Sequence, residues 1–167
     1  MPKTRKLALM AVLTAIALTI FMLEAQLPAP VPIPGVKLGL ANIVTLTAML
    51  LLGKREAGAI QAVRVIMGAV FAGAPSAILY SAAGAALAYA VMCLLVGRVA
   101  ERRLWAVSAL AAAAHNMGQL AACVLIVKTP GVLAYAPILI ISGIITGIFT
   151  GYGAMYLVRA LRGLNGR

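Results

Sequence analysis

The chain has 167 residues, of which 64% are apolar and 10% charged, against roughly 45–50% and about 25% in an ordinary soluble domain. This composition excludes a soluble globular protein, a disordered one and a collagen-like one. Fourteen Lys and Arg face three acids, Glu24, Glu56 and Glu101, giving a formal net charge of +11 with no Asp anywhere, which removes much hydrolytic and phosphoryl-transfer chemistry.

A bilayer core of about 30 Å asks for roughly 20 apolar residues per crossing helix, with about 17 as the short limit. The uncharged runs Leu7 to Leu23, Leu38 to Gly53, Leu104 to Val127 and Thr129 to Val158 each supply one span, the second of them short. The first run follows a basic start, as in a signal peptide, but no small-x-small cleavage site stands at the right distance after it, and it is read as helix 1. Between the first two runs, Pro28, Pro30, Pro32 and Pro34 occupy alternate positions, which forbids helix and favours an extended or polyproline segment. Val65 to Gly97 as one helix would be about 50 Å long. It holds the turn signal Gly73-Ala74-Pro75-Ser76, so it is read as broken there.

Lys and Arg accumulate in short cytoplasmic loops, and here they form four clusters: Lys3, Arg5 and Lys6; Lys54 and Arg55; Arg98, Arg102 and Arg103; Arg159, Arg162 and Arg167. If all four are cytoplasmic, an even number of crossings separates each neighbouring pair, and the loops carrying Lys37 and Lys128 face out. The expectation is an all-α integral membrane protein of the cell membrane, a single transmembrane domain over 1–167 with both termini cytoplasmic. Its six transmembrane helices are expected at about 7–27, 38–53, 56–73, 76–97, 104–127 and 132–158, with a Pro-rich outer loop at 28–37. The basic excess then reads as topology and not as a nucleic-acid footprint, because no basic run is interleaved with aromatics. Cys93 and Cys123 read as membrane-buried thiols.

This topology forces helix 3 to carry Arg64 near mid-membrane. An Arg there costs roughly 2.5–3.5 kcal/mol on insertion scales, so it normally faces the bundle interior and marks a ligand or ion pathway; the plainer reading is an Arg that clamps neighbouring carbonyls or snorkels to the cytoplasm. Gln61, Arg64 and Gly68 share one helical face. On helix 5, Ser108, Ala112, His115, Gln119 and Ala122 form a second stripe with Asn116 beside it, and His115 lies at nearly the same depth as Arg64. Near a buried cation the imidazole is expected to stay neutral and to act as donor or acceptor, which disfavours a proton relay. The Pro-rich loop reads either as a lid, with Lys37 and Asn42 meeting a polar ligand beneath it, or as a plain connector. Helix 6 spaces Gly143, Gly147 and Gly151 by four among Ser142, Thr146 and Thr150, the small-xxx-small pattern of close helix packing in lipid. Ala8, Ala11 and Ala15 on helix 1 form a similar face, for packing within the bundle or for another membrane subunit.

The sequence lacks a GxxxxGK[ST] loop, a nucleophile-elbow motif and an Asp-rich motif for magnesium. Its three carboxylates are scattered at or near helix ends, and one His without an Asp or Cys cluster builds no metal site. No catalytic residue, metal or cofactor is expected. What remains is a binding site whose energy, if it moves a solute against a gradient, comes from a partner.

The stretch Pro34-Gly35-Val36-Lys37-Leu38-Gly39-Leu40-Ala41-Asn42-Ile43 resembles the start of the second helix in substrate-binding S components of energy-coupling-factor (ECF) vitamin transporters. With Arg64-Val65-Ile66-Met67-Gly68 and His115-Asn116, it is similar to the Gx transporter family, also called heptaprenyl diphosphate synthase component I. The resemblance spans nearly the whole chain and implies the six-helix S-component bundle, with a pocket opening outward beneath loop 1. In vitamin S components, helix-1 alanines spaced by four dock on the coupling membrane subunit, which works with ATPases; Ala11 and Ala15 match that spacing. Gly39 and Ala41-Asn42 stand where many S components have acidic residues, so no vitamin identity carries over. The reading is a substrate-binding subunit for a small anionic or amphipathic solute. Arg64 pairs with the anion, His115, Asn116 and Gln119 supply neutral hydrogen bonds, and Gln61, Asn42 and Lys37 lie around them. The alternative is a non-catalytic membrane subunit associated with prenyl diphosphate or quinone synthesis, or with flavin- or quinone-linked extracellular electron transfer; no CxxCH or flavin-attachment motif is present.

Overall fold

A computed structural model describes residues 2–26, 39–71, 73 and 77–165. The Pro-rich loop at 28–37, with Lys37, lies outside the described residues. So do residues 74–76 of the expected break and Arg167. Six α-helices follow in order: α1 (Lys3–Glu24), α2 (Asn42–Leu51), α3 (Lys54–Phe71), α4 (Ala77–Leu95), α5 (Leu104–Val127) and α6 (Ala136–Asn165), with 3-10 turns at Glu101–Arg103 and Pro130–Tyr135 leading into the last two. Among the described residues there is no strand; the nearest thing is an isolated bridge between Val96 and Val99 in the turn after α4.

Four of the helices, α1, α4, α5 and α6, are long and apolar enough to cross a membrane. Their outward faces carry Leu7, Val12, Leu79, Leu94, Ile141, Phe149 and Tyr156, all exposed, which suits lipid and not water. The other two fall short for different physical reasons. Ten residues of α2 reach only about 15 Å, whereas α3 has the length but carries Lys54, Arg55, Glu56 and Arg64.

Polar contacts gather one end of every helix together. Lys6 near the start of α1 is ion-paired with Glu56 at the start of α3. Lys54 Nζ donates to the Cys93 carbonyl near the end of α4, at 2.7 Å, and Tyr89 Oη donates to the Lys54 carbonyl at 2.7 Å. Arg162 towards the end of α6 pairs with Glu101 ahead of α5 at 2.7 Å and reaches the Leu50 carbonyl near the end of α2 at 3.5 Å. The helices therefore alternate in direction, and members of all four basic clusters share one end of the bundle.

The helix α2 sits at the centre, touching all five others, with Val44, Leu46, Ala48 and Met49 in a core that also takes Leu13, Ile60, Met92 and Val107. The most extensive packing joins α4 to α5 and α5 to α6, and small residues are its cause. A Cβ on Gly147 would stand 2.4 Å from Ala109 Cα, and one on Gly118 2.7 Å from the Ala83 carbonyl oxygen, so these backbones approach as closely as the small-residue spacing on helix 6 implied. Ser108 Oγ and Thr150 Oγ1, 3.0 Å apart, add a buried hydrogen bond across α5 and α6. By contrast α1 packs chiefly on α3 and α2, through Leu13, Ala17 and Phe21, while Ala8, Ala11 and Ala15 face outward, exposed.

Gly147→Val is expected to lower the stability of the purified protein by about 3 kcal/mol, the upper end of overpacking costs, because backbone and not side chain must move. Gly163→Ala, whose added carbon meets nothing within 4 Å, is expected to leave the thermal unfolding midpoint in detergent unchanged.

Candidate functional site: a buried cationic cavity

The inward face of α3 reads Ala57, Ile60, Gln61, Arg64, Val65, Gly68 and Ala69, the three- and four-residue spacing of one helical side. Arg64 lies ten residues past Lys54, about 15 Å along the helix, and is 2% exposed. On α5 the buried stripe includes Ser108, Ala112, His115 and Gln119. His115, eleven residues past Leu104, lies about 16 Å along α5 and is 2% exposed, so cation and imidazole share one depth.

The two stripes converge on a cavity lined by Phe21, Glu24, Gly39, Arg64, Ser81, His115 and Gln119, which has no room for a water molecule. The Phe21 ring lies over the guanidinium, 5.8 Å from its carbon to the ring centroid, within the range of a cation–π contact. Gly68 makes space for that ring, since a Cβ there would meet Phe21 Cε1 at 2.6 Å. Glu24, 5% exposed, lies in the electrostatic field of Arg64 and accepts a hydrogen bond from the Gly39 N–H. That bond joins the end of α1 to the residues that open α2. Gly39 takes φ +79°, the left-handed region that glycine enters freely, and three successive tight turns, from Asn42, Ile43 and Val44 back to Gly39, Leu40 and Ala41, start the helix.

Polar atoms around Arg64 stay without hydrogen-bond partners among the described residues: Arg64 Nε and Nη2, His115 Nδ1, and both Nδ2 and Oδ1 of Asn42. Asn42 borders the same space, because a Cβ on Gly39 would lie 3.1 Å from Asn42 Nδ2 and 3.4 Å from His115 Cδ2. A buried guanidinium with unmet donors is costly. In native proteins such a group is normally answered by a partner.

Of the residues singled out in the sequence, Arg64, His115 and Gln119 line one cavity and Asn42 adjoins it. Asn116 turns away, its Nδ2 donating to the Leu139 carbonyl at 2.7 Å, which ties α5 to α6. Gln61 is buried, but its amide donates to the Ala85 carbonyl and it lines a separate apolar groove of about 370 Å³ between α3 and α4, with Gly58, Ala62, Ile66 and Tyr89. The scattered carboxylates of the sequence each face a base on another helix: Glu24 faces Arg64, Glu56 pairs with Lys6, and Glu101 pairs with Arg162. Phe21, Glu24, Ser81 and Gly39 complete the cavity without having been singled out as site residues. For Phe21 and Glu24 the signal was available in the spacing Leu13, Ala17, Phe21, Glu24, which is the buried face of α1.

The family model for heptaprenyl diphosphate synthase component I matches residues 13–157. The chain belongs to this family. The match takes in every residue lining the cavity, so the polar site lies within the part of the chain that the family shares. No curated protein and no solved structure matches the chain.

Gly39→Ala is expected to cost about 1–2 kcal/mol from the left-handed backbone alone, and to push on Asn42 and His115. The check is the thermal unfolding midpoint of Gly39→Ala beside that of Leu40→Ala, which leaves the glycine in place and is expected to hold its midpoint closer to wild type.

Proposed function

We propose that this chain is a membrane-embedded substrate-binding subunit, S-component-like in role, that takes up a small solute bearing an acidic group and is energised by a partner. The observation that carries the reading is the Arg64 guanidinium, buried at mid-depth with two N–H groups unpaired beside unpaired atoms of His115 and Asn42. The solute's acidic group meets Arg64, while Gln119 and neutral His115 supply further hydrogen bonds. Glu24, already accepting from the Gly39 N–H, sits at the edge of the same space and confines the solute's acidic group to the Arg64 side. The lining is contributed by α1, α3, α4, α5 and the segment opening α2, so admission requires the end of α1 and the start of α2 to part from α4 and α5.

In this reading the six helices all cross the cell membrane, α2 enclosed by its neighbours and α3 turning Val63, Ile66, Val70 and Phe71 to the lipid, with the basic end and both termini in the cytoplasm. Lys37 and the Pro-rich loop stand over the outer mouth. The outward face of α1 with Ala11 and Ala15, exposed in the isolated chain, is offered to a coupling membrane subunit and its ATPases.

The family's name favours a second reading, a membrane subunit accompanying prenyl diphosphate synthesis. In that role the chain is non-catalytic. Allylic diphosphate ionisation needs magnesium held by clustered carboxylates, and the three carboxylates here face bases on separate helix pairs.

Arg64→Ala is expected to abolish retention of a co-purifying small molecule in native mass spectrometry while the protein stays helical and monodisperse. Unaltered retention removes Arg64 from the site, and general misfolding favours a purely structural Arg. Reporter fusions at the two ends are expected to place both on the cytoplasmic side; opposite sides would overturn the six-crossing topology. Affinity capture of ATPases with a coupling subunit supports uptake, whereas capture of a soluble prenyl synthase supports the second reading.

A further inference from the structure

A second cavity, sharing no lining residue with the first, opens between the starts of α1 and α3 at the basic end of the bundle. Its volume is about 360 Å³, and it is lined by Lys3, Lys6, Leu7, Met10, Arg55, Glu56 and Ala59. Pockets for small ligands run from about 300 to 1,000 Å³, so this one has useful size. Its composition is divided. Leu7, Met10 and Ala59 make an apolar wall, and Lys3, Lys6 and Arg55 stand around it with Glu56 as the one acid.

Lys6 and Glu56 are ion-paired with each other across the two helices. The charges of Lys3 and Arg55 therefore exceed what the groove itself neutralises. The chain has two other carboxylates: Glu24 is in the central cavity and Glu101 is on Arg162. Above the groove the surface of α3 continues apolar through Val63 and Ile66, both exposed, and Leu7 is itself largely exposed. Cations at the end of a membrane helix, an apolar trough beneath them and a lipid-facing surface beyond match an amphiphile with an anionic head and a hydrocarbon tail.

We propose that the groove between α1 and α3 is a binding site for one membrane phospholipid with an anionic headgroup. The phosphate sits between Lys3 and Arg55, and an acyl chain lies along Leu7, Met10 and Ala59. The Lys6–Glu56 pair holds the two helices at the spacing that forms the trough. Positive charge of this kind serves topology wherever it lies on the cytoplasmic side; the site is distinguished by the cavity that joins two of those charges to an apolar floor.

The test uses the full chain in detergent, titrated with phosphatidylglycerol, phosphatidylcholine or inorganic phosphate and read by native mass spectrometry. Wild type is expected to retain one phosphatidylglycerol in preference to phosphatidylcholine, and inorganic phosphate is not expected to displace it. Each cation removed near the headgroup weakens the attraction by about fivefold, so Lys3→Gln with Arg55→Gln is expected to lower phosphatidylglycerol affinity by roughly 25-fold. Both positions are exposed, so the fold is spared, and Lys6 and Glu56 are left untouched. Lys128→Gln, at the opposite end of α5, is expected to change nothing. Ala59→Leu, which fills the trough and keeps every charge, is expected to reduce retention of phosphatidylglycerol as well. Equal retention of the two lipids by wild type, an unchanged affinity in the double variant, a loss in Lys128→Gln equal to that in the double variant, or displacement by inorganic phosphate overturns the proposal.

Discussion

A guanidinium at mid-depth in an apolar helix bundle is the constraint around which the other polar parts of the molecule are arranged. An isolated buried charge costs several kcal/mol even after relaxation. Arg64 is met from three directions: the Phe21 face at 5.8 Å, the Glu24 carboxylate in its field, and the polar edge of α5 with His115 and Gln119. Each of these needs a further residue to hold it. Gly68 leaves room for Phe21. Gly39 gives its N–H to Glu24, and Gly84 lies against the His115 ring, a Cβ there meeting Cε1 at 3.1 Å. These small residues are therefore as much a part of the cavity as the groups that line it.

Much of the cavity was legible because depth along a helix can be counted. Arg64 and His115 lie ten and eleven residues from the starts of their helices, and charge clusters fix which ends are together, so their meeting follows from arithmetic on a 1.5 Å rise. The alternation of helix direction was legible for the same reason, and the small-residue spacing of helix 6 pointed correctly to close backbone packing within the chain. Glu24 was harder. A carboxylate at a helix end reads as surface, yet it is buried here, lining the cavity and accepting from the Gly39 N–H where the chain returns. The alanines of α1 show the opposite ambiguity: their spacing equals that of a packing face, yet the bundle takes Leu13, Ala17 and Phe21 and leaves Ala11 and Ala15 outside. Gln61 and Asn116 were legible as inward-facing, but facing inward does not say towards which neighbour, and both serve carbonyls of adjacent helices.

The six helices divide into two kinds by how they are held. In α4, α5 and α6 the backbones touch through glycine and alanine, so the attraction is dispersion over a long, tight seam. The helices α1 and α3 meet through larger side chains and one ion pair at their starts, and α2 is enclosed between the two groups. Thr and Ser on the tight seam bond within it, as with Ser108 and Thr150, which leaves few polar groups there for anything else.

The central cavity draws Ser81, His115 and Gln119 from the tight group and Phe21, Glu24, Gly39 and Arg64 from the remainder. It therefore straddles the junction of the two groups. With no spare volume there, anything larger placed in it has to shift one group relative to the other. The side of α1 that the bundle leaves uncovered, with Ala11 and Ala15, belongs to one of those two groups.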